Sequence, residues 1–359
     1  MSGQPYPNID ISAYHARAQC GDVDAMYLIG MHYEKRGQAL ENQKEAFGYY
    51  SKAAALNHPN AIAAVGRCYI LGYGVEKNRE LGISEIRRAA LAGSVEGQLC
   101  LGDLLYGKEA VPRDLSEAFS WFEKAAAQGD HRAQYRIGVA CTYGFGVEKD
   151  LSKAFDYFKL ASQQGDIEAK LSLADAYTQG RGTPINHAEG FKLWLEAAQY
   201  GHPLGQHGLA YMYARGQGVE RNIAEAIKWC EMAAERGLAQ AQYETALYYY
   251  FGEGCEKDQS KAVKYFTAAA AQEHTQALFM LADCYYLGTG VEQNKGKGVE
   301  LKIKAAQKGH PLALYQVGVL MLDRGSKELA VQCLSESARL GCNEAAEELS
   351  KLGLKGEMN

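Results

Sequence analysis

The sequence predicts an all-α fold, a right-handed α/α superhelix (solenoid) of nine helix-turn-helix repeats with helical caps. Three observations predict it. Small residues recur every 36 positions, at Ala25, Ala61, Gly97, Ala133, Ala169, Gly205, Ala241, Ala277 and Ala313. Glycines punctuate most units at fixed places, and the stretches between them carry the spacing of helices and not the alternation of strands. A 36-residue unit cut in this way holds two antiparallel helices and leaves no room for a strand.

The whole chain, 1–359, reads as one solenoid without a domain boundary: a cap helix over about 9–24, repeats over 25–344, and a closing cap helix over 345–355. Within a unit, with its first small residue as position 1, apolar residues fall at positions 1, 5, 6 and 9. In the sixth unit these are Gly205, Leu209, Ala210 and Tyr213, one face of a first helix, A. Position 6 is Gly or Ala throughout, from Gly30 to Gly318, which predicts a close helix crossing, since glycine inside a helix costs roughly 1 kcal/mol against alanine. Helix A stops at a glycine pair at positions 12 and 14, for example Gly144 and Gly146, where a left-handed residue closes a helix end. Asn or Asp then stands at position 18 in eight units (Asn42, Asn78, Asp114, Asp150, Asn186, Asn222, Asp258, Asn294), the N-cap of a second helix, B. Helix B carries aromatics at position 25 or 26, alanine at position 29 in the first eight units, and in six units a terminating glycine at position 33.

The series of small residue, Leu-Gly, Tyr, Gly-x-Gly-Val, Asp, Ala, Trp, Ala-Ala, Gly resembles the Sel-one-like repeat (SLR) family, relatives of the tetratricopeptide repeats. Trp121 to Gly129 and Gly144 to Asp150 carry the resemblance nearly letter for letter. The first unit departs from it with Arg36 and Gln38 in place of the glycines, the third with Lys108 and Ala110, and the ninth by a shortened connection. The resemblance implies roles in assembling complexes and in signalling. For bacterial members it implies contacts with host proteins or neutralisation of a toxin, as an effector or immunity protein.

A net charge of -5 gives no attraction for nucleic acid. No basic cluster precedes an apolar run near the start and no long apolar run follows, so membrane insertion is not expected. A cytoplasmic setting is, with a secreted effector lacking a classical signal as the alternative. Nine cysteines without a paired phase read as mostly buried free thiols, with Cys284 nearest the concave face. The Gly-x-Gly pairs lack the residues of a phosphate loop, His58, His202 and His310 recur too far apart to share a metal, and no catalytic serine or zinc signature occurs. No cofactor, metal or enzymatic activity is expected.

Positions 3, 7 and 10 of helix A form a stripe apart from the core set and vary between units, so the concave wall of the stack is the candidate site for a protein or peptide ligand. It comprises Tyr135, Asp175, His207, Tyr211, Tyr243, Tyr250, Phe279, Asp283 and Tyr286, with Arg215 and Phe251 beside it at position 11. Tyrosine offers rigid contact area at small entropic cost. Two readings of the position-3 aromatics stay open: groove lining, or packing against the adjacent helix. Two rivals to a monomeric adaptor also stand, a small-molecule or glycan pocket or enzyme lined by the tyrosines, and a scaffold that self-associates through an uncapped end.

Overall fold

The computed structural model describes residues 11–37, 39–107 and 112–353. The chain divides into two compact units, Met1–Ile185 and Asn186–Asn359. The first contains α1 (Ile11–Gln19), α2 (Val23–Lys35), α3 (Leu40–Ala55), α4 (Pro59–Leu71), α5 (Arg79–Leu91), α6 (Val95–Tyr106), α7 (Leu115–Ala127), α8 (His131–Tyr143), α9 (Leu151–Gln163) and α10 (Ile167–Gln179). The second contains α11 (His187–Gln199), α12 (Pro203–Arg215), α13 (Ile223–Glu235), α14 (Ala239–Phe251), α15 (Gln259–Ala271), α16 (Thr275–Leu287), α17 (Lys295–Gln307), α18 (Pro311–Asp323), α19 (Lys327–Arg339) and α20 (Asn343–Lys351). From α2 to α19 the even-numbered helices are the A helices of the repeats and the odd-numbered ones the B helices. Of the expected caps, α1 is shorter than the 9–24 anticipated, because a turn at Cys20–Asp22 separates it from α2, and α20 starts at Asn343.

Packing explains the repeated small residues. Position 29 is fully buried in all eight alanine-bearing units, from Ala53 to Ala305. A Cβ at Gly30, Gly102 or Gly138 would enter the ring of Tyr50, Phe122 or Phe158, so the small residue of helix A makes room for the position-26 aromatic of its own helix B. Position 5 is buried in every unit, from Ile29 to Val317.

The two glycines of the pair do different work. Gly72, Gly144, Gly180, Gly216, Gly252 and Gly288 close their A helices in the left-handed conformation, as their position predicts. The second glycine is also left-handed, but its Cβ would collide with the neighbouring repeat's B helix: Gly74 with the Gln43 carbonyl, Gly146 with Leu115, Gly182 with Leu151, Gly218 with His187 and Gly290 with Gln259. The second position is therefore an inter-repeat contact as well as part of the helix end. Lys108 and Ala110, at these positions of the third unit, and Gln38 lie outside the described residues.

Seven of the eight expected N-caps accept the N–H three residues on, among them Asn78 from Leu81 and Asp150 from Lys153. Asn42 does not. In the first unit, which lacks the glycine pair, α3 begins three residues early behind Ala39, and Asn42 falls inside its first turn.

Candidate functional site

Within each unit, neighbouring A helices lie side by side in register. Glu34 at position 10 of the first repeat meets Arg67 at position 7 of the second, 3.4 Å apart, and the Nε2 of His207 at position 3 of the sixth repeat lies 2.9 Å from Glu244 at position 4 of the seventh. The A-helix residues expected to bind a partner therefore form rows running from repeat to repeat.

In the Met1–Ile185 unit this face is a ladder of internally paired charges. Arg67 lies between Glu34 and Glu96, Arg132 holds Glu96 and Asp130 at 3.0 Å each, and Arg136 pairs with Asp103 at 3.0 Å. Tyr50 donates its hydroxyl proton to Glu34. Burial lifts the Asp103 carboxyl above its ordinary range although Arg136 pulls the other way. Tyr135 is half-buried with its ring 5.9 Å from that of Phe158, and burial raises its phenol. Asp175 accepts from Arg181 at 2.8 Å, and its carboxyl too is raised by burial.

The Asn186–Asn359 unit separates the proposed residues into two groups. The position-3 aromatics pack. Tyr243 stacks on His274 at 4.8 Å, and Phe279 stacks on His310 at 4.3 Å, as Tyr27 of the first unit stacks on His58 at 4.7 Å. Each of these histidines is an N-cap whose Nδ1 accepts a backbone N–H, from Ala277, Ala313 and Ala61 respectively, which fixes the ring against the aromatic face. Burial holds the His274 and His310 imidazoles below their ordinary value, in keeping with neutral acceptors. Phe279, only 9% exposed, therefore belongs to the core and is not a groove residue, a correction to the sequence reading. Tyr250 is half-buried against the same core as Phe266, 6.0 Å between rings.

The second group points outward. Phe251 is 65% exposed, Tyr211 38% and Tyr286 37%. The Arg215 guanidinium lies 4.8 Å from the centre of the Tyr211 ring, Phe251 stands edge-on to Tyr250 at 5.0 Å, and Lys302 lies 4.7 Å from the Tyr286 ring while holding Asp283 at 2.9 Å. Leu287, 64% exposed, and Leu204 extend the row, and the sequence reading missed both. For Leu287 the signal was available at position 11, where Leu71, Tyr143, Phe251 and Leu287 recur, one helical turn beyond position 7.

Around His207 a polar network replaces simple exposure. Burial works to raise the Glu244 carboxyl, yet hydrogen bonds from His207 and from Gln240, at 2.6 Å, hold it below the ordinary range. Cys284 is buried, with its thiol pushed up to about 11, so it presents no reactive group on this face. A cavity of about 660 Å³ on the loop side of α15, lined by Tyr249, Lys257, Asp258, Lys261 and Gly290 among others, shares no residue with the row. No helix among the described residues is long and apolar enough to cross a membrane.

Among solved structures, the chain is similar to c5321, a protective antigen of uropathogenic Escherichia coli with an SLR fold. The TM-score is 0.73 at 26% identity, over 98% of this chain and 76% of that one. A Sel1 repeat protein from Oxalobacter formigenes matches with TM-score 0.66 and 28% identity, over 86% of this chain and 90% of the other. Chitin synthase regulatory factor 2 of Schizosaccharomyces pombe is 35% identical over 114 residues, 31% of this chain but only 22% of that protein. The Sel1 repeat pattern matches residues 23–58, 59–94, 95–130, 131–166, 167–202, 203–238, 239–274, 275–310 and 311–342. With nine consecutive matches in phase with its helix pairs, the chain belongs to the Sel1 repeat family.

Proposed function

We propose that the chain is a non-enzymatic adaptor that docks a segment of a partner protein on the A-helix row of its Asn186–Asn359 unit. The observation that carries this reading is the row itself: Tyr211, Phe251, Tyr286 and Leu287 expose large apolar surfaces on three A helices that pack in register. Single exposed apolar residues are ordinary, but a row of them on adjoining helices is the usual mark of a protein contact. Aromatic anchors ringed by polar groups concentrate binding energy, and here Arg215, Lys302 and Asp283 provide the polar surround. Similarity to a protein named as a chitin synthase regulatory factor accords with a role exerted through other proteins.

The test is affinity capture from the native cell with wild type and with the Tyr211→Ala, Phe251→Ala double variant. Tyr211 and Phe251 are chosen over Tyr250 because the latter packs on Phe266, and its loss would confuse unfolding with lost binding. A partner should be recovered by wild type and lost by the double variant, with the melting temperature little changed. Recovery of the same proteins by both would contradict the proposal.

A further inference from the structure

The charges on the row are unbalanced in one direction. Among the described residues, the carboxylates carried by α12, α14 and α16 are Glu244 and Asp283, and both are already paired: Glu244 with His207 and Gln240, Asp283 with Lys302. The cations are not all matched. The Arg215 guanidinium lies over the Tyr211 ring at 4.8 Å, the Lys295 ammonium lies 5.8 Å from the Tyr286 ring, and neither is within ion-pair distance of a carboxylate among the described residues. The Met1–Ile185 unit shows the contrast, because there Arg67, Arg132 and Arg136 are each matched by carboxylates of their own unit. A basic segment reaching the row would meet no unpaired carboxylate on its A helices, whereas an acidic one would meet two free cations with apolar surface between them.

We infer that the row takes an acidic peptide segment bearing apolar side chains, with its carboxylates on Arg215 and Lys295 and its apolar groups against Tyr211, Phe251, Tyr286 and Leu287. This rests on the adaptor reading and names the chemistry of the partner. Arg215 belongs to the sixth repeat, and Lys295 lies beside Tyr286 of the eighth. With packed helices about 8–10 Å apart, the two cations stand two helix spacings from each other, which about six residues of extended chain would bridge at roughly 3.3 Å each. Opposite charge at the two ends fixes the register of the segment, and the apolar centre supplies the affinity.

The experiment selects short random peptides displayed on phage against the full-length chain. The selected peptides are then synthesised with a fluorophore and titrated by anisotropy with wild type, Arg215→Gln, Lys295→Gln and the Tyr211→Ala, Phe251→Ala variant. Both cations are exposed, so their glutamine variants should fold normally. Selected peptides should combine Asp or Glu with apolar residues, lose binding to the double aromatic variant, weaken about fivefold with each neutralised cation, and weaken further as salt is raised. Peptides that need Tyr211 and Phe251 but are neutral or basic, or are indifferent to both glutamine variants, would overturn the charge assignment and leave the docking row standing. Peptides indifferent to the aromatic substitutions, or no selected peptide at all, would overturn both.

Discussion

At the scale of single residues, the glycines show why one residue type recurs for two physical reasons. Gly129 ends α7 with φ of 89° in open space, and nothing lies within 4 Å of where its Cβ would stand. Gly146 has a similar φ of 73°, yet its Cβ would collide with the Leu115 carbonyl of the neighbouring repeat. Gly129→Ala should therefore cost only the left-handed backbone, about 1 kcal/mol, while Gly146→Ala adds a backbone displacement and should cost about 3 kcal/mol or more. Urea unfolding of the two variants measures the difference, and equal costs would show that the second glycine serves the turn alone. Asn57 and Glu273 mark the first of these roles from the other side, since each holds a left-handed φ where other repeats use glycine. Sequence alone showed that glycine was needed at both positions of the pair. It did not show which one faced a carbonyl, because that carbonyl belongs to a helix some 30 residues away.

At the scale of the helix, legibility followed local chemistry. The N-caps Asn78 to Asn294 could be read because an N-cap needs only its own next turn. Asn42 was misplaced because α3 starts where the absent glycine pair allows it to, which is a property of the preceding turn. For Phe279 and Tyr243 sequence leaves groove lining and packing both open, because the partners that decide it, His310 and His274, are the N-caps of the following A helices, 31 residues later. A buried glutamine clamp was also hidden from any local reading. Gln128, Gln164 and Gln272 each donate at 2.9 Å to the buried Gln98, Gln134 and Gln242 thirty residues earlier, tying the end of a B helix to the A helix of its own pair. The sixth repeat breaks the series. Arg236 stands in the donor's place, and the fully buried Gln206 has both polar atoms of its amide unpartnered. An unsatisfied buried amide costs about 1–3 kcal/mol, so Arg236→Gln should raise the stability of the chain by about 1 kcal/mol in equilibrium unfolding. No gain, or a loss, would mean that Arg236 contributes something the clamp cannot replace.

At the scale of the molecule, the nine-fold period fixed the fold class from sequence because every repeat restates the same packing demands. The site was less legible, since a residue free to vary can face either a neighbour or a partner. Position 11 separates the two outcomes: Phe251 and Leu287 stand exposed, whereas Tyr250, one residue earlier than Phe251, is half-buried on the core. The first unit pairs its own charges along this face while exposing Leu71 and Tyr143 at position 11, and the second sets exposed apolar side chains beside two unpaired cations, so the second is where binding is assigned. The most direct measurement places a photoreactive phenylalanine analogue at Phe251 on the A-helix row and, in a separate variant, at Leu91, an equally exposed residue at the end of a B helix. Irradiation in the native cell should join a discrete partner through position 251 and none through position 91. Adducts of equal yield from both positions, or from position 91 alone, would contradict the assignment of binding to the A-helix row.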